Sequence, residues 1–192
     1  MLIEGAKVIE IVVSIFERLG ISYLIGGSIA SGVHGIYRYT NDIDFVADIH
    51  LPHVPSLLEA LHDFYADEDM IRDAIETRSS FSILHLQIMT KVDVFIKADD
   101  AWTNQVWKRR KYLPVSSDGS VSAYLPSPED AVLQKLRWFQ MGGGVSDRQW
   151  SDILGMLKMR SGTLDRDYLR QWAHAIGVAD LLEKALQMSS SE

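Results

Sequence analysis

Asp42-Ile43-Asp44 puts two carboxylates two residues apart in a stretch that reads as a β-strand, Ile43 to Ile49. Side chains alternate along a strand, so Asp42 and Asp44 point to one face while Ile43 and Phe45 point into the core. Two carboxylates side by side repel, and a cation between them relieves the repulsion. Magnesium suits such a site: it takes oxygen ligands, commonly one or two carboxylates plus substrate phosphates. A strand end in water is the plainer alternative for an isolated Asp-x-Asp. Asp93 adds a third acid in Val92-Asp93-Val94-Phe95-Ile96, a strand with apolar neighbours on both sides. A bare carboxylate buried there costs several kcal/mol, so it needs a partner. That partner is either Lys91 or an arginine, or else Asp93 is a third metal ligand or a general base. Three acids around two metals about 3.5–4 Å apart clamp the entering and leaving oxygens of a phosphoryl transfer.

Gly26-Gly27-Ser28 supplies a possible phosphate cradle. Glycine lets the backbone approach a phosphate, and the helix after it offers free N–H groups and a favourable dipole. Ser28 adds a hydroxyl. The structural alternative is a tight strand-to-helix turn with Ser28 as an ordinary cap. Arg38, just before the acidic pair, can neutralise a phosphate or pair with Asp42.

The elements that must position these groups follow from periodicity. Apolar residues at helical spacing predict a helix over Glu4 to Leu19, ended by Gly20. Ile21 to Ile25 reads as a strand, followed by a helix from Ser28 to about Gly35. Pro55 to Phe64 and Met70 to Thr77 read as helices. Phe81 to Met89 and Val92 to Ile96 suggest a hairpin with a tight turn near Thr90-Lys91. Ala101 to Arg110 reads as a helix, then strands at Tyr112 to Val115 and Val121 to Tyr124 flank Ser117-Asp118-Gly119. From Ser127-Pro128-Glu129-Asp130, a strong helix start, helices take over: one to Met141 stopped by Gly142-Gly143-Gly144, one capped by Ser146 and Gln149, and two over Asp167 to Ala175 and Ala179 to Gln187, with fraying from Ser189. The expected fold class is α+β: a mixed sheet flanked by helices in residues 1–125, then a small all-helical domain in residues 126–192.

Composition bounds the function. The chain has 192 residues and 47% hydrophobic content, enough for a sizeable core. Its net charge of −7 argues against tight, sequence-independent binding of long nucleic acid. With no cysteine, disulfides, thiolate zinc sites and cysteine nucleophiles are excluded. No membrane-spanning run is expected. The apolar stretch Val8 to Ile15 is broken by Glu10 and lacks a basic leader, so a soluble cytoplasmic protein is expected. The basic run Trp107-Lys108-Arg109-Arg110-Lys111 is either a solvated helix end or a guide for an RNA tail. His34 reads as a satisfied core or boundary histidine, and His50 with His53 as a poor zinc site.

The run Gly26-Gly27-Ser28, Arg38, Thr40, Asp42-Ile43-Asp44-Phe45 and Val92-Asp93-Val94-Phe95 resembles the polymerase-beta-type nucleotidyltransferase superfamily. It looks closest to the bacterial AbiEii-like branch, which includes toxins of toxin–antitoxin and abortive-infection systems. The later Pro128-Glu129-Asp130, Lys135-Leu136-Arg137, Ser146-Asp147-Arg148 and Asp152-Ile153 are similar to that branch's helical motifs. The resemblance runs from Tyr23 to about Leu157. It implies a nucleotidyltransferase-type sheet and a metal triad of Asp42, Asp44 and Asp93. Gly26, Gly27, Ser28 and Arg38 would hold the triphosphate, Lys135 would contact phosphate or base, and Asp147 or Asp152 would act in the helical half. The implied enzyme uses magnesium, two ions, to move a nucleoside monophosphate from an NTP to an acceptor hydroxyl on a short RNA, a protein side chain or a small molecule, the NTP lying between the two domains. A cognate antitoxin is an implied partner. The alternative is a non-catalytic nucleotide-binding or partner-binding protein on the same scaffold.

Overall fold

The computed structural model describes residues 3–37, 40 and 42–190. By internal packing the described residues divide into two units: those of 1–29, 39–99 and 111–125, and those of 30–38, 100–110 and 126–192.

The first unit is built on a mixed five-stranded sheet of order β1-β2-β5-β4-β3. Its strands are β1 (Tyr23–Ile25), β2 (Ile43–Ala47), β3 (Phe64–Tyr65), β4 (Ser80–His85) and β5 (Lys91–Ile96). β2 and β5 run parallel, and the other neighbours antiparallel. Helix α1 (Ile3–Arg18) covers one face of the sheet. It carries apolar residues at helical spacing, and its Phe16 ring lies 5.5 Å from Phe45 and 5.9 Å from Tyr23. Ile43, Phe45, Ala47, Val92, Val94 and Ile96 are all buried. The alternate positions of β2 and β5, which include Asp44 and Asp93, are only partly covered. Period-two alternation thus separates a packed face from a face open to chemistry. A hairpin of β6 (Lys111–Pro114) and β7 (Ser122–Leu125) forms a second sheet and packs by β1, Tyr124 meeting Tyr23 at 5.7 Å.

Several expected boundaries move. Helix α2 (Gly27–His34) begins at Gly27, so Ser28 lies in its first turn and not before it. Helix α3 (Val54–Ala60) is short, and Phe64 belongs to the two-residue edge strand β3, pairing with His85. Helix α4 (Glu68–Thr77) starts earlier than its apolar pattern because Asp67 accepts a hydrogen bond from the Met70 amide at 2.9 Å. β4 ends at His85, and the turn to β5 spans 86–90. There the Met89 amide donates to the His85 carbonyl at 2.8 Å, with Met89 at φ 56°.

The second unit contains α5 (Ala101–Arg109), α6 (Pro128–Met141), α7 (Asp147–Met159), α8 (Arg166–Ala175) and α9 (Ala179–Ser190). The start signals act as expected: Ser127 caps α6 by accepting from the Asp130 amide at 3.2 Å, and Ser146 caps α7 by accepting from the Gln149 amide at 3.3 Å. α9 continues to Ser190, past the expected fraying point. Among the described residues no helix is long and apolar enough to cross a membrane.

Candidate active site

The pairing register decides where the acids stand. Asp44 on β2 is the direct partner of Asp93 on β5, and Asp93 is in turn the partner of Ser82 on β4. Neighbouring strands are about 4.8 Å apart, so residues in register share a face and their side chains touch or nearly touch. The row across the open face is therefore Asp44, Asp93, Ser82. Asp42 precedes Ile43 as Lys91 precedes Val92, its pairing partner, so Asp42 and Lys91 flank that row on the N-terminal side of the two parallel strands. Asp42 is exposed, and its amide donates to Thr40 Oγ1 at 3.1 Å, which steadies the chain entering β2.

Asp93 has partners of its own. Ser82 Oγ donates to Oδ1 at 2.5 Å, and Lys91 Nζ lies 2.8 Å from Oδ2. The hydrogen bond to Asp93, then the charges of Asp93, Asp42 and Asp44, hold the Lys91 ammonium above the usual lysine range, against a cost of burial. One ammonium thus feels all three carboxylates. The Lys91 pairing is the one weighed from sequence. Ser82 was not legible there, because its meeting with Asp93 depends on a strand register that sequence leaves open.

The glycine turn closes on the same acids. The Gly26 amide donates to the Asp44 carbonyl at 2.9 Å, continuing the β1–β2 ladder. Gly27 has φ +55°, and a Cβ there would lie 1.8 Å from Asp44 Oδ2. The backbone of the first turn of α2 therefore rests directly on a carboxylate, where the positive helix end favours negative charge. Gly26, Gly27, Ser28, Asp44 and Asp93 come together in one unit. Arg38 lies outside the described residues.

The donor chemistry fits a hard divalent cation: carboxylate oxygens on one open face, beside a glycine turn at the start of a helix. As the side chains stand, no group of three or more His, Cys, Asp or Glu among the described residues is gathered to hold a metal ion. Asp93 is turned to Lys91 and Ser82 instead, so its use as a ligand requires that these contacts loosen.

The remaining candidates lie in the second unit. Lys135 is buried and its Nζ sits 2.8 Å from Asp152 Oδ2; both side chains are under a tenth exposed. This is a paired structural environment for the lysine and for Asp152. Asp147 is exposed in the first turn of α7, where its charge suits the helix dipole. Arg109 of the basic run is drawn inward: it meets Glu129 at 2.7 Å and Asp130 at 3.3 Å and stacks over Tyr168 at 3.9 Å. Tyr168 and Ser127 donate to the two oxygens of the fully buried Asp130, at 2.6 and 2.7 Å. Burial pushes the Asp130 carboxyl up, while hydrogen bonds led by the Asp165 amide overcome burial and hold Glu129 down. Arg110 bonds the Trp107 carbonyl at 2.8 Å. Arg109 is therefore a structural joint of α5, α6 and α8, while Lys108 and Lys111 stay exposed. His34 is buried with Nε2 2.8 Å from the Pro126 carbonyl; that ring nitrogen is paired, while Nδ1 is buried without a hydrogen bond among the described residues. His53 Nδ1 accepts from the His50 amide at 3.0 Å.

No protein-family model matches the sequence, and no curated protein does. Solved structures do. The chain is similar to the solution structure of the antibiotic-resistance factor ANT(2'')-Ia at 12% identity and TM-score 0.55, covering 93% of this chain and 96% of that one. It also aligns with an antigenic nucleotidyltransferase-like protein from Paracoccidioides brasiliensis at 16% identity and TM-score 0.48, covering 96% and 92%. The fold is the nucleotidyltransferase type that the motif order implied. The likeness does not single out the AbiEii-like branch.

Proposed function

We propose that this chain is a magnesium-dependent nucleotidyltransferase. It moves a nucleoside monophosphate from an NTP to an acceptor hydroxyl. The reading rests above all on one observation: Asp44 and Asp93 pair in register on parallel strands, with the Gly27 backbone seated on Asp44. Asp42, Asp44 and Asp93 would hold the divalent cations, two by analogy with paired-metal sites. Bound there, the ions would offset charge on the attacking and leaving oxygens. Gly26, Gly27, Ser28 and, from the sequence motif, Arg38 would seat the triphosphate through amides, a hydroxyl and a guanidinium. Asp93 is the candidate base. It takes the proton as the acceptor oxygen bonds to the α-phosphorus; the bond from that phosphorus to the bridging oxygen breaks, and pyrophosphate leaves. Ser82 and Lys91 hold its two oxygens, so action as a base requires at least one of these contacts to loosen.

The acceptor is a small molecule, a protein side chain or a short RNA end. The acidic net charge and the inward-drawn Arg109 weigh against long nucleic acid. ANT(2'')-Ia is an antibiotic-resistance factor with substrate-regulated dynamics, and that precedent on the same fold favours a small-molecule acceptor. A toxin–antitoxin setting rests on the order of motifs alone.

The test is incubation with α-labelled NTPs, magnesium and cell extract. The expected result is label on an acceptor, falling by about 100-fold or more in Asp44→Ala, the scale of losing a principal electrostatic group. NTP binding with no transfer to any acceptor points instead to a nucleotide-binding protein without catalysis.

A further inference from the structure

Lys91 stands at a position that neither the motif order nor the fold assigns. It opens β5 two residues before Asp93, so both side chains emerge on the open face. Its Nζ lies 2.8 Å from Asp93 Oδ2, with the lysine side chain 55% exposed and the carboxylate 22% exposed. Ser82 holds the other oxygen at 2.5 Å. Around this ammonium stand Asp42 and Asp44, whose charges reach it. Three carboxylates on one sheet face repel unless a cation is present. Among the described residues, Lys91 is a cation that meets this face.

We propose that Lys91 is a tethered counter-ion that occupies the acidic face when no divalent cation is bound, and that metal binding requires its ammonium to leave Asp93. The inference rests on the reading of Asp42, Asp44 and Asp93 as ligands. The lysine side is more than half exposed, so solvent screens the pairing and displacement is cheap. A divalent ion offers the same carboxylates twice the charge. Lys91 is thus a positioning residue. It offsets part of the repulsion among the acids without metal, and it sets how tightly metal is held.

The experiment is calorimetric titration of magnesium chloride into the full chain, with melting curves with and without magnesium. Lys91→Met removes the charge at similar length, and Lys91→Arg keeps it. K91M is expected to bind magnesium about two- to fivefold more tightly than wild type, the range equivalent to an exposed pair. Its melting temperature without metal falls, and its rise on adding magnesium is larger. K91R does not tighten binding. K91M binding equal to or weaker than wild type overturns the proposal, as does K91R tightening as much as K91M. Asp44→Asn separates the two readings. If magnesium binding is absent in wild type, or is unaffected in D44N, the metal site and the counter-ion fail together. If D44N loses binding while K91M equals wild type, only the counter-ion fails. Acylation of Lys91 in the wild-type chain gives a second measure: its rate rises with magnesium if the ammonium is displaced, and an unchanged rate contradicts the proposal.

Discussion

Gly27 is fixed by two separate demands. Its φ of +55° is one that L side chains rarely adopt, and an added Cβ would meet Asp44 Oδ2 at 1.8 Å. Gly119, in the β6–β7 turn, shares the positive φ, at +73°, with nothing within 4 Å of its added Cβ. The pair separates backbone strain from contact. Gly119→Ala is expected to cost about 1 kcal/mol, near the low end for a strained backbone position. Gly27→Ala is expected to cost about 2–3 kcal/mol or more, because Asp44 must also shift. Urea denaturation of the two variants checks the difference, and equal costs would show that the turn does not rest on the carboxylate. At this scale the sequence was informative about identity. The glycines, Asp42, Asp44 and Asp93 could be picked out by type and spacing. It was silent on Ser82, a serine in a strand like many others until pairing sets it beside Asp93.

Elements were legible where local chemistry is strong and were misread where it is weak. Ser127, Pro128 and the acids after them announce α6, and Ser146 announces α7. The β4–β5 turn was misplaced because Met89, not a glycine or asparagine, takes the positive φ. β3 escaped notice because two residues carry no period, and it exists only by pairing with β4. Lys135 shows the same limit between helices. A lysine on an amphipathic helix reads as solvated or as a phosphate contact, yet α7 brings Asp152 to it and both side chains are under a tenth exposed. Breaking a buried pair from one side leaves an uncompensated charge, at a cost of about 3–5 kcal/mol. Lys135→Met is expected to lower unfolding free energy by that amount, and Lys135→Met with Asp152→Leu to recover most of it. Chemical denaturation of the single and double variants checks this. A single variant as stable as wild type would mean that the pair is not buried as described.

Across the whole molecule, two features meet: an ordinary apolar core and a negative net charge. The α+β class follows from strands and helices mixed early in the chain and helices alone late in it. The topology does not. A parallel β2–β5 pair inside an otherwise antiparallel sheet joins residues about fifty positions apart, and no local signal reports it. That pairing is what brings Asp93 to Asp44. The net charge of −7 favours divalent cations and disfavours polyanions, so a triphosphate is expected to bind well only with its cation.

The most direct test locates the cation. Isotope-labelled protein is titrated with manganese in the presence of a non-hydrolysable nucleoside triphosphate, and amide resonances are followed for paramagnetic broadening. The amides of Gly27, Asp44 and Asp93 are expected to broaden first, an effect lost in Asp44→Asn. Sharp signals at those three positions while amides elsewhere broaden would contradict the site.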